Sequence, residues 1–182
     1  MKATGITRRV DDLGRIVIPK EIRRTLHLLE GTPMEIFTDR EGAIVLKKYS
    51  PMAEIGTFAR QYCEALGQVF TCLIVIADRD QIVAAAGPER KKFLGQGISN
   101  DLEERIVNRD MVKLPEGSEK VVPLCEGDVS AYVGQMICPI ISQGDAIGAV
   151  VLASQSAGAP IGEAEQKAAI CAANFLGRQM EA

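Results

Sequence analysis

Arginine and lysine side chains are concentrated at the start of the chain, where seven occur within the first 24 residues against three carboxylates. They are Lys2, Arg8, Arg9, Arg15, Lys20, Arg23 and Arg24. Five of the seven are arginine, whose planar guanidinium group binds phosphate oxygens bidentately. The chemistry that this set offers is the binding of phosphate groups, as along a nucleic-acid backbone. A solvated charged face is the alternative interpretation.

The charge of the chain is distributed unevenly. Residues 1–50 contain ten Lys and Arg against seven Asp and Glu, whereas residues 51–182 contain eleven against seventeen. The first part therefore carries a net charge of +3 and the second −6, within a chain whose total is −3. Together with a hydrophobic content of 47%, this asymmetry predicts a globular protein of two domains, 1–50 and 51–182. The first domain is expected to bind nucleic acid.

Several enzyme classes are disfavoured by the residues that the chain lacks. The single histidine, His27, lies in the first domain, so the second cannot build a histidine-ligated metal site or a Ser-His-Asp or Cys-His site from its own residues. The five cysteines show no C-x-x-C spacing, and we expect reduced thiols in a cytoplasm: Cys63, Cys72, Cys125, Cys138 and Cys171. We therefore expect no catalytic residue, no cofactor and no metal. A redox enzyme that uses Cys125 as its nucleophile is a weak alternative, because no histidine accompanies it.

A membrane segment is also disfavoured. Residues 129–162 contain a single charged side chain, Asp145, but turn residues at 143–145 and 154–156 and Pro160 divide the stretch. Each piece is too short to cross a bilayer. The charges in the first 12 residues exclude a signal peptide. The sequence thus predicts a soluble protein that has no membrane partner.

The elements that must position the arginines are two short strands and a helix. Strands are predicted at residues 5–10 and 15–18, with a turn at residues 11–14 in which Gly14 supplies a positive φ. Pro19 suits the first position of the helix that carries Arg23 and Arg24. The apolar stripe of this helix is expected to be Ile22, Leu26 and Leu29.

A hairpin follows, with strands predicted at residues 34–37 and 43–46 around a turn at 39–42. In a sheet with one solvent-exposed face, apolar and polar residues alternate along each strand. Residues 16–18 and 44–46 are instead apolar at every position, so both faces of these two strands need to be covered. Fifty residues also bury little surface by themselves. Two copies that interleave their strands would resolve both problems and double the cationic surface. The alternative is that these strands pack on the second domain of the same chain.

The run TGITRRVDDLGRIVIPKEIRRTLHLLEGTPMEIFTDREGAIVLKKY closely resembles the swapped-hairpin DNA-binding domain of AbrB-type bacterial transition-state regulators. The resemblance implies an intertwined dimer whose arginines, from both chains, contact double-stranded DNA. Carried over position by position, the contacts fall on Arg8, Arg9, Arg15, Arg23 and Arg24, with Lys2 and Lys20 as weaker candidates for flanking phosphates. Because the segment lacks a helix-turn-helix pattern, we expect sequence preference to come from DNA shape and a few base contacts.

Residues 51–182 are predicted to form an α+β domain. A first helix starts at Ser50 and Pro51, a second follows Ser99 to about residue 108, and a third covers 162–180. The apolar face of the first is expected at Ile55, Ala59, Tyr62 and Leu66. The third has two apolar stripes and should pack on both the sheet and another helix: Ala164, Ala168, Cys171, Phe175 and Ala169, Ala173, Leu176, Met180. Strands are predicted at 71–77, 82–86, 121–124, 131–141 and 146–153.

This order of helix, antiparallel strands and helix is similar to a GAF domain. The whole chain then resembles the AbrB-type regulators of endospore-forming bacteria that carry such a domain. The resemblance implies a transcription regulator, activator or repressor, of sporulation genes in the cytoplasm of the forespore, associated with the nucleoid. It also implies dimers that pair through the GAF-like domains into a homotetramer.

A small-molecule site is predicted between the sheet and the helix after Ser99. Its expected lining is Ile74, Ile76, Tyr132, Gly134, Met136, Gly148 and Val150. No cyclic-nucleotide or bilin signature is present, so the effector is unidentified. The alternative is that side chains fill this space and that the domain only drives oligomerisation.

An antitoxin of a toxin–antitoxin pair is the alternative function. The same swapped-hairpin front occurs in antitoxins, where a disordered tail wraps the toxin. Residues 51–182 are too apolar and too rich in strands for such a tail.

Overall fold

A computed structural model describes residues 5–26, 28, 30–48, 56–114, 121–156 and 161–180. The chain divides into two compact units, an N-terminal unit, Met1–Tyr49, and a C-terminal unit, Ser50–Ala182. Some predicted features lie outside the described residues, among them Lys2, Leu29, and the helix start at Ser50, Pro51 and Ile55. None of the described helices is long and apolar enough to cross a bilayer.

The N-terminal unit contains a helix and a hairpin. Helix α1 is Lys20–Thr25, and strands β1 (Met34–Thr38) and β2 (Ile44–Lys48) pair antiparallel with Ile36 opposite Leu46. In the turn between the strands, Oδ1 of Asp39 accepts hydrogen bonds from the amides of Glu41 and Ala43. Aspartate favours such a turn because its short side chain reaches the backbone two residues on. The predicted hairpin is confirmed.

The two strands predicted around the first turn are absent from the described structure. Residues 5–10 and 15–18 are assigned no strand, whereas the turn between them is formed, with Gly14 at φ +74°. Its backbone is closed by a hydrogen bond from Asp11 N to Arg15 O at 3.1 Å. A strand exists only where a neighbouring strand completes its backbone hydrogen bonds, so strand propensity alone does not produce one in a single chain.

Helix α1 differs from the prediction in its start and in its apolar side. Pro19 precedes the helix as its N-cap residue, with φ −57°, and is buried. Ile22 is half-buried, but Leu26 is exposed and Leu28 is buried instead. The helix ends after six residues, before a stripe spaced over two turns can form.

The C-terminal unit is built on a five-stranded antiparallel sheet. The strand order is β4-β3-β7-β6-β5. The bounds are β3 Leu73–Asp78, β4 Ile82–Ala86, β5 Val112–Leu114, β6 Gly134–Ser142 and β7 Asp145–Ser154. Strands β3, β4, β6 and β7 confirm predicted strands to within three residues at each end.

Four helices accompany the sheet: α2 Gly56–Val69, α3 Arg90–Phe93, α4 Asn100–Asn108 and α5 Glu163–Gln179. Helices α2 and α5 pack on one face, where Ala59 and Leu176 meet Ile74 and Val150. Helix α4 packs on the other face together with the segment 121–132. The predicted cap of α4 is confirmed, because Ser99 Oγ accepts a hydrogen bond from Leu102 N at 3.1 Å.

Residues 121–124 are not a strand, contrary to the prediction. Val122 is held by the buried side chain of Gln135, whose Oε1 accepts from Val122 N and whose Nε2 donates to Val122 O, both at 2.7 Å. The next residue, Pro123, has no amide hydrogen to give to a strand ladder. A side chain thus supplies the pairing that a neighbouring strand would give. The short elements β5 and α3 were not predicted.

The last helix touches the sheet through a glycine. A Cβ on Gly177 would lie 2.1 Å from the carbonyl oxygen of Ile141, so only glycine permits this approach of α5 to β6. Of the two predicted stripes, Ala169, Ala173 and Leu176 are buried. The other stripe is not: Ala164, Cys171 and Phe175 are exposed and Ala168 is half-buried.

Candidate nucleic-acid interface

Six of the seven cationic residues predicted to contact DNA lie in the described part of the N-terminal unit. All six are exposed: Arg8, Arg9, Arg15, Lys20, Arg23 and Arg24. We call them the cationic set. Exposed guanidinium groups keep their hydrogen-bond donors available for phosphate.

The turn at residues 11–15 fixes the position of Arg15. The Asp11 carboxylate accepts hydrogen bonds from Leu13 N at 3.0 Å and Arg15 N at 2.8 Å through Oδ1, and from Arg15 Nε at 2.8 Å through Oδ2. The backbone and side-chain hydrogen bonds from Arg15 hold the pKa of Asp11 below its ordinary value of 3.8. Sequence reasoning treated Asp11 only as a turn residue. The four-residue spacing to Arg15 was the signal for the ion pair.

Helix α1 carries the adjacent pair Arg23 and Arg24 in its last turn. The unpaired carbonyl groups at a helix C-terminus favour cations there. The unpaired N–H groups at the N-terminus favour the negative charge of Glu21 in the first turn. Pro19 O accepts the first hydrogen bond of the helix from Arg23 N at 3.0 Å. The preset φ of Pro19 therefore determines where the helix, and with it the two arginines, begins.

The same unit exposes an unusual number of apolar side chains. Among its described residues only Pro19 and Leu28 are buried. Ten large apolar side chains are exposed: Ile6, Val10, Leu13, Ile16, Val17, Leu26, Ile36, Phe37, Ile44 and Leu46. A soluble domain rarely leaves this much apolar surface in water unless another surface covers it.

The residues predicted to line a small-molecule site do not lie together. Ile74, Ile76, Met136 and Val150 point to the face covered by α2 and α5, and all four are 0–2% exposed. Tyr132 belongs to the opposite face, with α4. Gly134 and Gly148 are buried in β6 and β7, and a Cβ on Gly148 would lie 2.1 Å from Ala77 O. The seven residues therefore do not bound one cavity.

On the α4 face, the segment 121–132 is closed over the sheet. Its side chains Val122, Leu124 and Tyr132 pack against Val75 and Val151. Asp128 fastens the segment: its Oδ2 accepts from Leu124 N and from Tyr132 OH, each at 2.9 Å. Burial by itself would raise the pKa of Asp128, but the donated hydrogen bonds outweigh it and lower that pKa.

Four cysteines of the C-terminal unit have a raised pKa and are therefore protonated thiols at neutral pH. Burial raises the pKa of Cys63 to about 12 and of Cys72 and Cys138 to about 11. The pKa of Cys125 is also raised, first by burial and then by the negative charge of Asp128. A nucleophilic cysteine needs the opposite shift. Among the described residues, no group of three or more His, Cys, Asp or Glu is arranged to hold a metal ion.

Two family models match the chain. Residues 54–181 match the family described as "Stage V sporulation protein T C-terminal, transcription factor". Residues 7–54 match the family described as "Antidote-toxin recognition MazE, bacterial antitoxin". The first match covers more than half of the chain and nearly all of the C-terminal unit.

Two curated relatives come from Bacillus subtilis. Stage V sporulation protein T is 48% identical over 184 residues, which is 100% of this chain and 99% of the relative. The transition state regulatory protein AbrB is 40% identical over 90 residues, which is 50% of this chain and 84% of that protein. The relation therefore extends through both units.

Solved structures show the fold of the C-terminal unit. The second GAF domain of DevS from Mycobacterium smegmatis has a TM-score of 0.51 at 14% identity, over 69% of this chain and 93% of that one. A type II free methionine-R-sulfoxide reductase from Thermoplasma acidophilum has a TM-score of 0.53 at 15% identity, over 70% and 95%. At these identities the likeness concerns the fold alone, which is α+β and GAF-like. The chain itself belongs to the stage V sporulation protein T family of transcription factors, and its N-terminal unit is of the AbrB type.

Proposed function

We propose that this chain regulates sporulation genes, as activator or repressor. It would bind double-stranded DNA through the cationic sets of two interlocked N-terminal units. The observation that carries the proposal is the combination, in one unit, of six exposed cationic side chains and ten exposed large apolar ones. The cationic side chains suit a polyanion, and the apolar ones suit a second copy of the same segment.

The homodimer follows from the energetics of the N-terminal unit. Burying one apolar side chain of this size contributes roughly 1.5–3 kcal/mol, and two buried side chains are too few for a stable domain. Interleaving two copies would cover the exposed apolar residues and give residues 5–10 and 15–18 strand partners. It would also bring two cationic sets into one surface.

Binding would depend mainly on phosphate contacts. The structure gives this unit one described helix, of six residues, which is too short to act as a major-groove recognition helix. Arginine contacts to phosphate would supply most of the affinity, and DNA shape with a few base-edge contacts would supply the preference for particular sequences. Lys2 and Lys20 would contribute flanking phosphate contacts.

The test replaces two members of the cationic set. The variant Arg8→Ala with Arg24→Ala should lose binding in a gel shift with duplex selected by the wild-type chain from a random-sequence pool, while its circular dichroism stays native. The matched control is Lys91→Ala with Lys92→Ala, which removes the same charge from exposed positions on α3. If the control loses as much affinity as the arginine variant, the assignment of the cationic set is wrong.

The C-terminal unit would join two such dimers into a homotetramer. Phe58 and Phe175 are exposed on α2 and α5, and Tyr62 stacks on Phe175 with ring centroids 5.3 Å apart. This aromatic face lies on the outside of the helices, where a second copy would pack on it. Joining two DNA-binding dimers raises the effective concentration at a second site, which favours paired operators.

A small-molecule effector of the C-terminal unit remains a prediction, and its site would have to lie on the α4 face. There it would displace side chains of the segment 121–132, such as Leu124 and Tyr132, which now fill the space. Native mass spectrometry of protein purified without DNA tests for a retained metabolite and for the tetramer together. We further propose that the protein is not an enzyme and works in the cytoplasm of the forespore, on the nucleoid.

The antitoxin function is favoured only by the match of residues 7–54 to an antitoxin family. An antitoxin of this kind would continue into a protease-sensitive tail, whereas here residues from 56 onward build a packed sheet and helices. Limited proteolysis separates the two functions. A resistant core beyond Ser50 supports the regulator, and rapid loss of that region supports the antitoxin.

A further inference from the structure

The N-terminal unit contains the same turn twice, and the two copies differ in one respect. In the first, Asp11 Oδ1 accepts from the amides two and four residues on, and in the second Asp39 Oδ1 does the same. Each aspartate also pairs its own amide with the carbonyl four residues on, and each turn has a glycine at the fourth position. The fifth position of the second turn is Ala43 instead of an arginine, and Asp39 forms its turn without a hydrogen bond from an arginine side chain among the described residues. The ion pair of the first turn is therefore not needed to make the turn.

The additional contact in the first turn is the hydrogen bond from Arg15 Nε to Asp11 Oδ2, at 2.8 Å. It uses one edge of the guanidinium group and leaves Nη1 and Nη2 with no hydrogen-bond partner in the part of the chain that the structure describes. The Arg15 side chain is 68% exposed. Its two free nitrogen atoms are thus presented to solvent from a guanidinium whose plane is fixed by Asp11.

We propose that Asp11 is a positioning residue for DNA recognition, which holds the Arg15 guanidinium in the orientation that it needs on the operator. This inference rests on the proposed function, since it assigns Asp11 a part in the same DNA-binding surface. A carboxylate beside phosphates is unfavourable by charge alone. The benefit of Asp11 is that Arg15 loses less conformational freedom when it binds.

The low pKa of Asp11 agrees with this role, because the carboxylate stays ionised at neutral pH and keeps its bond to Arg15. The neighbouring Asp12 provides a contrast. Asp12 is exposed in the same turn, and no hydrogen bond or ion pair to its side chain occurs among the described residues. The two adjacent aspartates carry the same charge, but only Asp11 contacts the Arg15 side chain.

The decisive variant is Asp11→Asn. The amide oxygen can still accept from Leu13 N and Arg15 N, so the turn is kept, while the amide nitrogen cannot accept from Arg15 Nε. Asp12→Asn is the matched control for charge, and Asp39→Asn is the control for the same exchange in a turn whose aspartate binds no arginine side chain among the described residues. All three remove one negative charge and add no bulk.

The measurement is a ratio of affinities of the full-length chain for two duplexes. One duplex is selected by the wild-type chain from a random-sequence pool, and the other is poly(dI-dC). All three variants should bind poly(dI-dC) somewhat more tightly, because a negative charge is gone. Only Asp11→Asn should lower the ratio, by about three- to tenfold for each Arg15 side chain that contacts the duplex, which corresponds to the cost of ordering one long side chain.

A double-mutant cycle separates positioning from a general structural effect. For each Arg15 that contacts the selected duplex, Arg15→Ala should weaken binding about three- to tenfold less in the Asp11→Asn background than in the wild type, since Arg15 is already disordered there. The NMR signal of Arg15 Nε–Hε should exchange slowly with water in the wild type and in Asp12→Asn, and quickly in Asp11→Asn. A structural role alone would not move this signal selectively.

Three outcomes would overturn the inference, and the first differs in meaning from the other two. If the wild type prefers no duplex over poly(dI-dC), the proposed function fails and the positioning role fails with it. If the wild type discriminates but Arg15→Ala costs the same in both backgrounds, only the positioning role is wrong. An equal fall of the ratio in Asp11→Asn and Asp12→Asn has the same meaning, because charge alone would then explain it.

Discussion

Single polar side chains hold the loop at residues 121–132 against the sheet and against helix α4 through hydrogen bonds. Gln135 pairs with both backbone groups of Val122, and Ser99 both caps α4 and donates to Pro123 O. Asp128 closes the same segment on the other side. Each is a long-range or loop contact whose removal leaves a buried backbone group unpaired, and such groups are costly.

Asp128→Asn should lower the free energy of unfolding by about 1–3 kcal/mol at pH 7, because the amide nitrogen cannot accept the bonds from Leu124 N and Tyr132 OH. The pKa of Asp128 is lowered in the folded chain, so its stabilising contribution is present above the ordinary value of 3.8 and is lost as the pH falls below it. The difference between variant and wild type should therefore shrink in acid. Urea unfolding at pH 7 and at about pH 3 measures it.

Asp145→Asn, at the exposed first residue of β7, is the control and should change the free energy of unfolding by less than about 0.5 kcal/mol. Equal losses in both variants would mean that the three accepted hydrogen bonds do not stabilise the segment 121–132.

At the scale of elements, helices α2 and α5 cover the sheet with one side and expose aromatic side chains on the other. Their inner sides cover the sheet, with Ala59, Cys63 and Leu66 from α2 and the buried alanines of α5. Their outer sides expose Phe58 and Phe175, while Tyr62 packs against the core and stacks on Phe175. The close approach of the α5 backbone to β6 explains the glycine at position 177.

Gly177→Ala should destabilise the C-terminal unit by about 1–3 kcal/mol, because the added Cβ forces α5 away from the carbonyl oxygen of Ile141. This loss exceeds the gain in helix propensity, which is up to about 1 kcal/mol. Gly56→Ala is the matched control, since a Cβ there meets nothing within 4 Å. Thermal unfolding followed by circular dichroism compares them. A rise of Tm in Gly177→Ala would contradict the close packing.

Phe58→Asp should convert the tetramer into dimers, with the dissociation constant of the tetramer raised at least about tenfold, because a charge replaces an apolar contact in the proposed interface. Native mass spectrometry over a dilution series measures this. Val107→Asp is the control: Val107 is similarly exposed, at 48% against 49% for Phe58, but lies on α4 on the opposite face of the sheet. If Val107→Asp dissociates the tetramer and Phe58→Asp does not, the interface lies on the α4 face.

At the scale of the whole molecule, the N-terminal unit is net positive and the C-terminal unit is net negative. The N-terminal part of the chain carries +3 and the remainder −6, so net charge favours the proposed DNA binding by the N-terminal units. A tetramer built through the C-terminal units would present two DNA-binding surfaces on an acidic body. Such an arrangement limits contacts with non-specific DNA to the arginine-bearing surfaces.

If each dimer neutralises about six to ten phosphates, the logarithm of the binding constant should fall with the logarithm of salt concentration with a slope of roughly −5 to −9. Arg8→Ala with Arg24→Ala should make the slope less steep by about 0.9 for each phosphate that the variant no longer neutralises. Fluorescence anisotropy of labelled duplex from low to moderate salt measures both slopes. A wild-type slope near zero would exclude phosphate binding as the source of affinity.

The sequence by itself determined the cationic set of the N-terminal unit, the hairpin at residues 34–48 and the α+β order of the second unit. These follow from local signals: arginine clusters, Asp-x-x-Gly turns, and apolar spacing along strands and helices. The tertiary structure alone decided which face of the sheet each residue occupies. Strands such as β3 are buried along their whole length, so alternation gives no sign of which side Ile74 or Val75 will face. Neither the distribution of the predicted lining residues over both faces of the sheet nor the pairing of Val122 with Gln135 is visible in the sequence, because distant residues meet only once the sheet is packed.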